Sequence, residues 1–191
     1  MKKKPTAILV GCEGKTESIY LEIIKKVYGA YGLEVRPSAG ELFSLIDNMS
    51  TIRDNYAAEL GVDKEEIETW VTCDDDSRGV KYKELKDYAV NNNILLAYSR
   101  PQFEIFLLQH FGQYKEGKQK RVLDDINEIV KKYSKEKYNK TNLAWLEEEI
   151  FAKPSLIDIA ITNSDIRKKS SEKVFITFQN LIKSIKNVYY Q

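Results

Sequence analysis

Two cysteines, one histidine and no long apolar run exclude several classes of protein for this 191-residue chain. Two cysteines cannot build a disulfide framework. Cys12 and Cys73 therefore read as small buried residues in a reducing compartment, which makes the cytoplasm the expected location. Each stands at or beside an acidic cluster, so a redox pair close to those acids is the alternative reading. No stretch of about 18 apolar residues is present, which argues against a membrane-spanning helix. Lys2, Lys3 and Lys4 precede a short apolar run as in a signal peptide. That run breaks at Glu13 and shows no small-residue cleavage site, so a first strand with a basic lead-in is expected. A lone His110 with no Cys/His cluster leaves no zinc site, and no Gly-x-Ser-x-Gly segment supports a serine triad. Gly14-Lys15-Thr16 looks like part of a phosphate-binding P-loop, but Leu9 occupies the position where that loop needs its first glycine. The formal net charge of +1 neither requires nor excludes a nucleic-acid partner.

What is present is a hydrophobic share of 42%, enough for the core of one ordinary domain. Ala7 to Cys12 reads as a strand, followed by helical spacing from Thr16 to Tyr31. Leu33 to Pro37 is a second strand, and Glu41 to Leu60 a helix closed by Gly61. Ile67 to Cys73 and Ile94 to Tyr98 are further strands, with a helix over Tyr82 to Val90 between them. Strands alternating with helices of this length predict a parallel sheet. Past Tyr98 the alternation stops. Helices are expected over Pro101 to Phe111, Val122 to Tyr133, Leu143 to Phe151 and Ser155 to Ile166. Val174 to Val188 reads as a helix, with a strand as the alternative for Val174 to Phe178. The fold class is thus α/β: a parallel sheet flanked by helices over residues 1–111, then a helical half over residues 112–191 packed on it, one compact domain overall.

The chemistry concentrates where two strands end. The first strand runs into Glu13-Gly14-Lys15-Thr16-Glu17, and the strand ending at Cys73 runs into Asp74-Asp75-Asp76-Ser77-Arg78-Gly79. In an open α/β sheet, strands deliver functional groups to the crevice at their carboxyl ends. Parallel strands would bring Glu13, Glu17, Asp74 and Asp76 to one edge, where so many carboxylates call for a cation. Hard oxygen ligands suit Mg²⁺ or Mn²⁺. Side chains alternate along an extended segment, so Asp74 and Asp76 face one way and Asp75 the other. Glu17 has two readings, a metal ligand or a partner of the helix dipole. Lysines and tyrosines between Lys115 and Lys140 form either a nucleic-acid track or a solvated face interspersed with acids.

Glu13-Gly14 followed by Asp74-x-Asp76-x-x-Gly79 resembles the Toprim domain of topoisomerases, primases and small nucleases. Glu-Gly-x-Thr-Glu at residues 13–17 is most similar to the overcoming-lysogenization-defect nucleases, a resemblance that implies a ligand role for Glu17. A third segment, Ser99-Arg100-Pro101-Gln102-Phe103-Glu104 through His110-Phe111, resembles the Ser-Asn-Pro-x-Phe-Glu-x-Trp-x-x-x-His-Phe signature of RloB-like proteins. Arg100 stands where asparagine is usual and Phe106 where tryptophan is usual. Arginine at that position is a candidate phosphate contact. The resemblance implies a Toprim-like Rossmannoid sheet.

The expected function is a Mg²⁺- or Mn²⁺-dependent nuclease that hydrolyses phosphodiester bonds in RNA or DNA. Glu13, Asp74 and Asp76 are the expected catalytic residues, and Glu13, Glu17, Asp74 and Asp76 the metal ligands. Lys15, Arg78 and Arg100 are candidates for the substrate phosphate. Glu104 reads equally as a further acid of the site or as a helix N-terminal charge, whereas His110 reads first as structural, with a substrate contact as the alternative. The resemblance also implies bacterial anti-phage or abortive-infection defence, with an ATPase as a partner. A tyrosine-bearing DNA gate and template-binding domains find no room, which sets topoisomerase and primase activities aside. The rival class is a non-catalytic Toprim-like regulatory or partner-binding subunit.

Overall fold

The structure is a computed structural model that describes residues 4–37, 41–75, 81–114, 118–167 and 173–190. Five strands form one sheet in the order β2-β1-β3-β4-β5. They are β1 (Ala7–Cys12), β2 (Leu33–Pro37), β3 (Ile67–Asp74), β4 (Leu95–Arg100) and β5 (Phe175–Ile176). The first four are parallel; β5 runs antiparallel to β4, pairing Ser99 with Ile176 and Arg100 with Phe175. Eight helices accompany them among the described residues: α1 (Lys15–Tyr28), α2 (Leu42–Leu60), α3 (Tyr82–Asn91), α4 (Glu104–Leu108), α5 (Gln119–Val130), α6 (Ala144–Ala152), α7 (Ser155–Asp165) and α8 (Phe178–Tyr189). None of the described helices is long and apolar enough to cross a membrane.

Strand alternation sorts the core into two clusters. Ile8, Val10 and Cys12 of β1 and Trp70 of β3 join α1 and α4 to α8 on one face. Ala7 and Leu9 of β1 with Val71 and Cys73 of β3 join α2 and α3 on the other. Near-continuous apolar strands are what a parallel sheet covered on both faces demands. The two cysteines lie on adjacent strands but on opposite faces of the sheet. That geometry rules out pairing between them, and burial pushes the Cys12 thiol up to about 12. Both are structural.

The helix α2 ends at Gly61, whose φ of 67° lets its N–H turn back to the Ala57 and Ala58 carbonyls. Farther on, two sequence expectations need correction. Only Glu104–Leu108 of the expected helix over Pro101 to Phe111 is α-helical. Around it, the N–H groups of Ile105, Phe106, Gln109, His110 and Phe111 bond to carbonyls three residues back. Residues 101–110 are buried on every side, and the tighter turns fit that enclosure better than a regular helix. The C-terminal half also adds a strand. Thr177 fastens β5 to β4, its N–H donating to Tyr98 O at 2.8 Å and its Oγ1 accepting from Tyr98 N at 2.9 Å. Helix α8 then packs on α1 and β4, so residues from both sides of position 111 share one cluster.

The chain leaves β1 toward β2 on one side and later returns to β3 on the other. The order reverses between β1 and β3, the place where open α/β sheets take their ligands beyond the strand ends.

Candidate active site

Glu13 directly follows β1, half-buried, with its N–H donating to Thr72 O at 3.3 Å. Asp74 is the last residue of β3, also half-buried and in register with Ser99. Both stand at the switch point. Glu17 joins them from the first turn of α1 and is only 4% exposed. Gly14 makes that possible. Its backbone is ordinary extended chain (φ −102°, ψ 150°), but the Glu17 carboxyl lies against its Cα, and any Cβ there would overlap that carboxyl. The glycine is needed for close approach, not for an unusual turn.

Glu104 is the fourth acid. It opens α4, just beyond β4, and is 1% exposed. Its Oε1 accepts the Tyr138 hydroxyl at 2.9 Å and lies 3.3 Å from Lys140 Nζ. Its Oε2 is buried with no hydrogen-bond partner among the described residues. The carboxylates sense one another. Burial, then the negative charges of Glu104 and Glu13, push the Glu17 carboxyl up to about 7, opposed by its own backbone N–H and by Lys140. Burial lowers the Lys140 ammonium, but the Glu104, Asp74 and Glu17 carboxylates outweigh it and the net shift is upward. Burial first, then Glu104, raises the Tyr138 phenol. Acids from three strand ends thus share one field with one lysine.

Tyr138 and Lys140 were missed as members of this site, although both belong to the lysine- and tyrosine-rich stretch. No local signal marks them, since Glu104 and Thr16, the residues they reach, lie 34 and 124 positions away. Elsewhere in that stretch, among the described residues, Arg121 pairs with Asp125 and Lys131 with Glu128. Tyr133 stacks on Trp145.

The other sequence-predicted residues divide. Asp76, Arg78 and Gly79 lie outside the described residues, as does Lys115. Lys15 is exposed at the start of α1, a helix with no side-chain cap. Asp75 turns away from the acids, taking the Tyr98 hydroxyl on Oδ1 and Arg100 Nε on Oδ2 at 3.1 Å. Arg100 is thereby engaged with Asp75 and Tyr98 rather than held out toward the crevice. His110 is 1% exposed in an aromatic nest of Tyr20, Phe106 and Phe111. Its Nδ1 donates to Leu107 O at 3.0 Å, which leaves Nε2 to accept from the Tyr20 hydroxyl at 2.9 Å. Burial lowers its pKa to about 4, so the ring stays neutral and structural.

Hard oxygen donors and a carboxyl raised toward neutrality are the chemistry that a divalent cation would relieve. Among the described residues, however, no three acid, cysteine or histidine side chains are gathered closely enough to hold one as they stand. The donor types fit the cation, and its binding would draw the carboxylates together. No curated protein and no solved structure matches this chain significantly. The family model of the RloB-like proteins matches residues 8–185, nearly the whole chain, and the protein belongs to that family.

Proposed function

We propose that the protein is a Toprim-type phosphodiesterase that hydrolyses RNA or DNA with Mg²⁺ or Mn²⁺. The observation that carries this reading is the convergence of Glu13, Glu17, Asp74 and Glu104 at the switch point of a parallel sheet. Glu17 and Asp74 would hold the cation, joined by Asp76 of the Asp-x-Asp motif, which leaves Glu13 for the proton transfer. When bound, the cation neutralises charge on the scissile phosphate and makes a bound water more acidic. Glu13, half-buried at the mouth of β1, takes the proton of the attacking water. The N-terminus of α1 offers the positive end of its dipole to a phosphate, with the exposed Lys15 beside it. Arg78 remains a candidate for the same phosphate from the sequence pattern. Arg100 positions Asp75 and the end of β4 instead of touching substrate. The family resemblance supports extending the proposal to anti-phage or abortive-infection defence in the bacterial cytoplasm, with an ATPase partner.

Glu13→Gln separates an enzyme from a binding module. The expected result is cleavage slowed by about a hundredfold to ten-thousandfold with nucleic-acid binding retained in a gel-shift titration. Unchanged cleavage in that variant would remove Glu13 from the chemistry.

A further inference from the structure

Lys140 and Tyr138 have no part in the hydrolytic roles assigned above, yet both reach the carboxylates from a segment far along the chain. That segment, residues 131–143, leaves α5 and runs to α6 with no helix of its own. It is fastened to the first turns of α1 and α4 at three points. Thr16 Oγ1 donates to the Lys140 backbone carbonyl at 3.1 Å. The Tyr138 hydroxyl donates to Glu104 Oε1 at 2.9 Å, and Lys140 Nζ lies 3.3 Å from the same oxygen. At its base the Tyr138 N–H donates to Asn127 Oδ1 of α5 at 2.9 Å. A turn between these anchors is preformed: Asn139 and Asn142 make an antiparallel bridge, and Asn139 Oδ1 accepts from the Thr141 N–H and hydroxyl at 2.9 Å each. The segment is a strap drawn over the acids.

The strap conflicts with a divalent cation in two ways. First, one oxygen each of Glu13, Asp74 and Glu104 is buried away from water. A hydrated Mg²⁺ or Mn²⁺ keeps several of its waters on binding and needs open room beside its ligands. Second, the charge the carboxylates attract is already supplied by the Lys140 ammonium, which the Glu104, Asp74 and Glu17 charges favour. An ammonium held 3.3 Å from Glu104, within the field of Asp74 and Glu17, repels a dication bound at those acids. The lysine side chain is 59% exposed, so it swings into water without opening the core. Its departure leaves Tyr138 and Thr16 as the remaining ties.

We infer that residues 131–143 form a strap that closes the carboxylate site, with Lys140 as an internal counter-cation that a divalent cation must displace. This rests on reading the carboxylates as a cation site. The strap makes cation entry a switch: it holds the acids together when metal is scarce and lifts as the site loads, baring the crevice for a nucleic-acid strand.

Calorimetric titration of Mn²⁺ into wild-type protein and Lys140→Gln tests it, together with hydrogen exchange of residues 131–143 with and without Mn²⁺. Lys140→Gln is expected to bind Mn²⁺ about tenfold more tightly at low salt, since a competing charge is gone. In the wild type, exchange across 131–143 is expected to quicken when Mn²⁺ is added. Equal or weaker Mn²⁺ affinity in Lys140→Gln would make the lysine a clamp that holds Glu104, and would overturn the inference. So would unchanged exchange across the strap when wild-type protein is loaded. Failure of both wild-type protein and Lys140→Gln to bind Mn²⁺ would instead overturn the cation site itself, and the strap with it.

Discussion

An Asp74→Asn variant is expected to lose cation-dependent cleavage by about a thousandfold while folding at least as well as the wild type. Asp74 ends β3, where its backbone is held in register with Ser99. Asparagine has the same shape and leaves that ladder intact. It removes one negative charge from a field that already holds Glu13, Glu17 and Glu104, so repulsion among the remaining acids falls. The chemistry suffers because an amide is a much poorer partner for a hard dication than a carboxylate. A thousandfold loss corresponds to about 4 kcal/mol of transition-state stabilisation, the scale of one well-placed electrostatic group. Single-turnover cleavage rates and thermal unfolding of the same preparation check both halves. Wild-type cleavage with unaltered metal dependence would place the chemistry elsewhere.

The second large effect is an opposition between two buried groups, read as stability against pH in EDTA. Burial and its acidic neighbours lift Glu17 from 4.5 to about 7. Its proton is held more tightly folded than unfolded, so its contribution favours folding at low pH and is lost as pH rises to about 7. His110 is the mirror case, lowered by burial from 6.5 to about 4. Its neutral ring contributes fully above pH 6.5, and that contribution is lost as pH falls to about 4. Between roughly pH 4.5 and 6.5 the two slopes cancel, each about 1.4 kcal/mol per pH unit at most. In Glu17→Gln the histidine acts alone, and stability is expected to climb with pH across that window by about 2 kcal/mol relative to wild type. In His110→Gln the carboxyl acts alone and stability is expected to fall with rising pH by a similar amount. Urea denaturation at a series of pH values measures both slopes. Parallel profiles in all three proteins would mean that neither group titrates as its burial requires.

Local signals carried much of the fold. Ala7–Cys12 forms a strand as its apolar run predicts, Leu33–Pro37 forms one after the break at Gly29 and Gly32, and Gly61 closes α2 where the periodicity ends. What sequence periodicity misread was decided by tertiary enclosure. Residues 101–110 are buried on every side, polar Gln102, Glu104, Gln109 and His110 included, so helical spacing carried no information about how many turns stay regular. The strand β5, which is the alternative reading of Val174 to Phe178, is two residues long and is fixed by Thr177 bonding to Tyr98, a contact that periodicity does not specify. The site divides in the same way. Glu13 and Asp74 were legible because each ends an apolar run, and Glu17 because it follows Glu13 by one helical turn. Lys140 and Tyr138 were not, since their place depends on contacts with Glu104 across 34 residues and with Thr16 across 124. His110 reads first as structural with a substrate contact as the alternative, and Tyr20 and Leu107 use both its ring nitrogens.

The central claim is that carboxylates at the ends of β1 and β3 make this RloB-like protein a cation-dependent phosphodiesterase. Its most direct test is incubation of wild-type protein with pooled tRNA, structured RNA and plasmid DNA in Mn²⁺, in Mg²⁺ or in EDTA. The account predicts cleavage of at least one pool with either cation and none in EDTA. Intact pools under every condition, from protein that demonstrably binds Mn²⁺, would contradict it and leave a non-catalytic binding module; cleavage that persists in EDTA would contradict it as well.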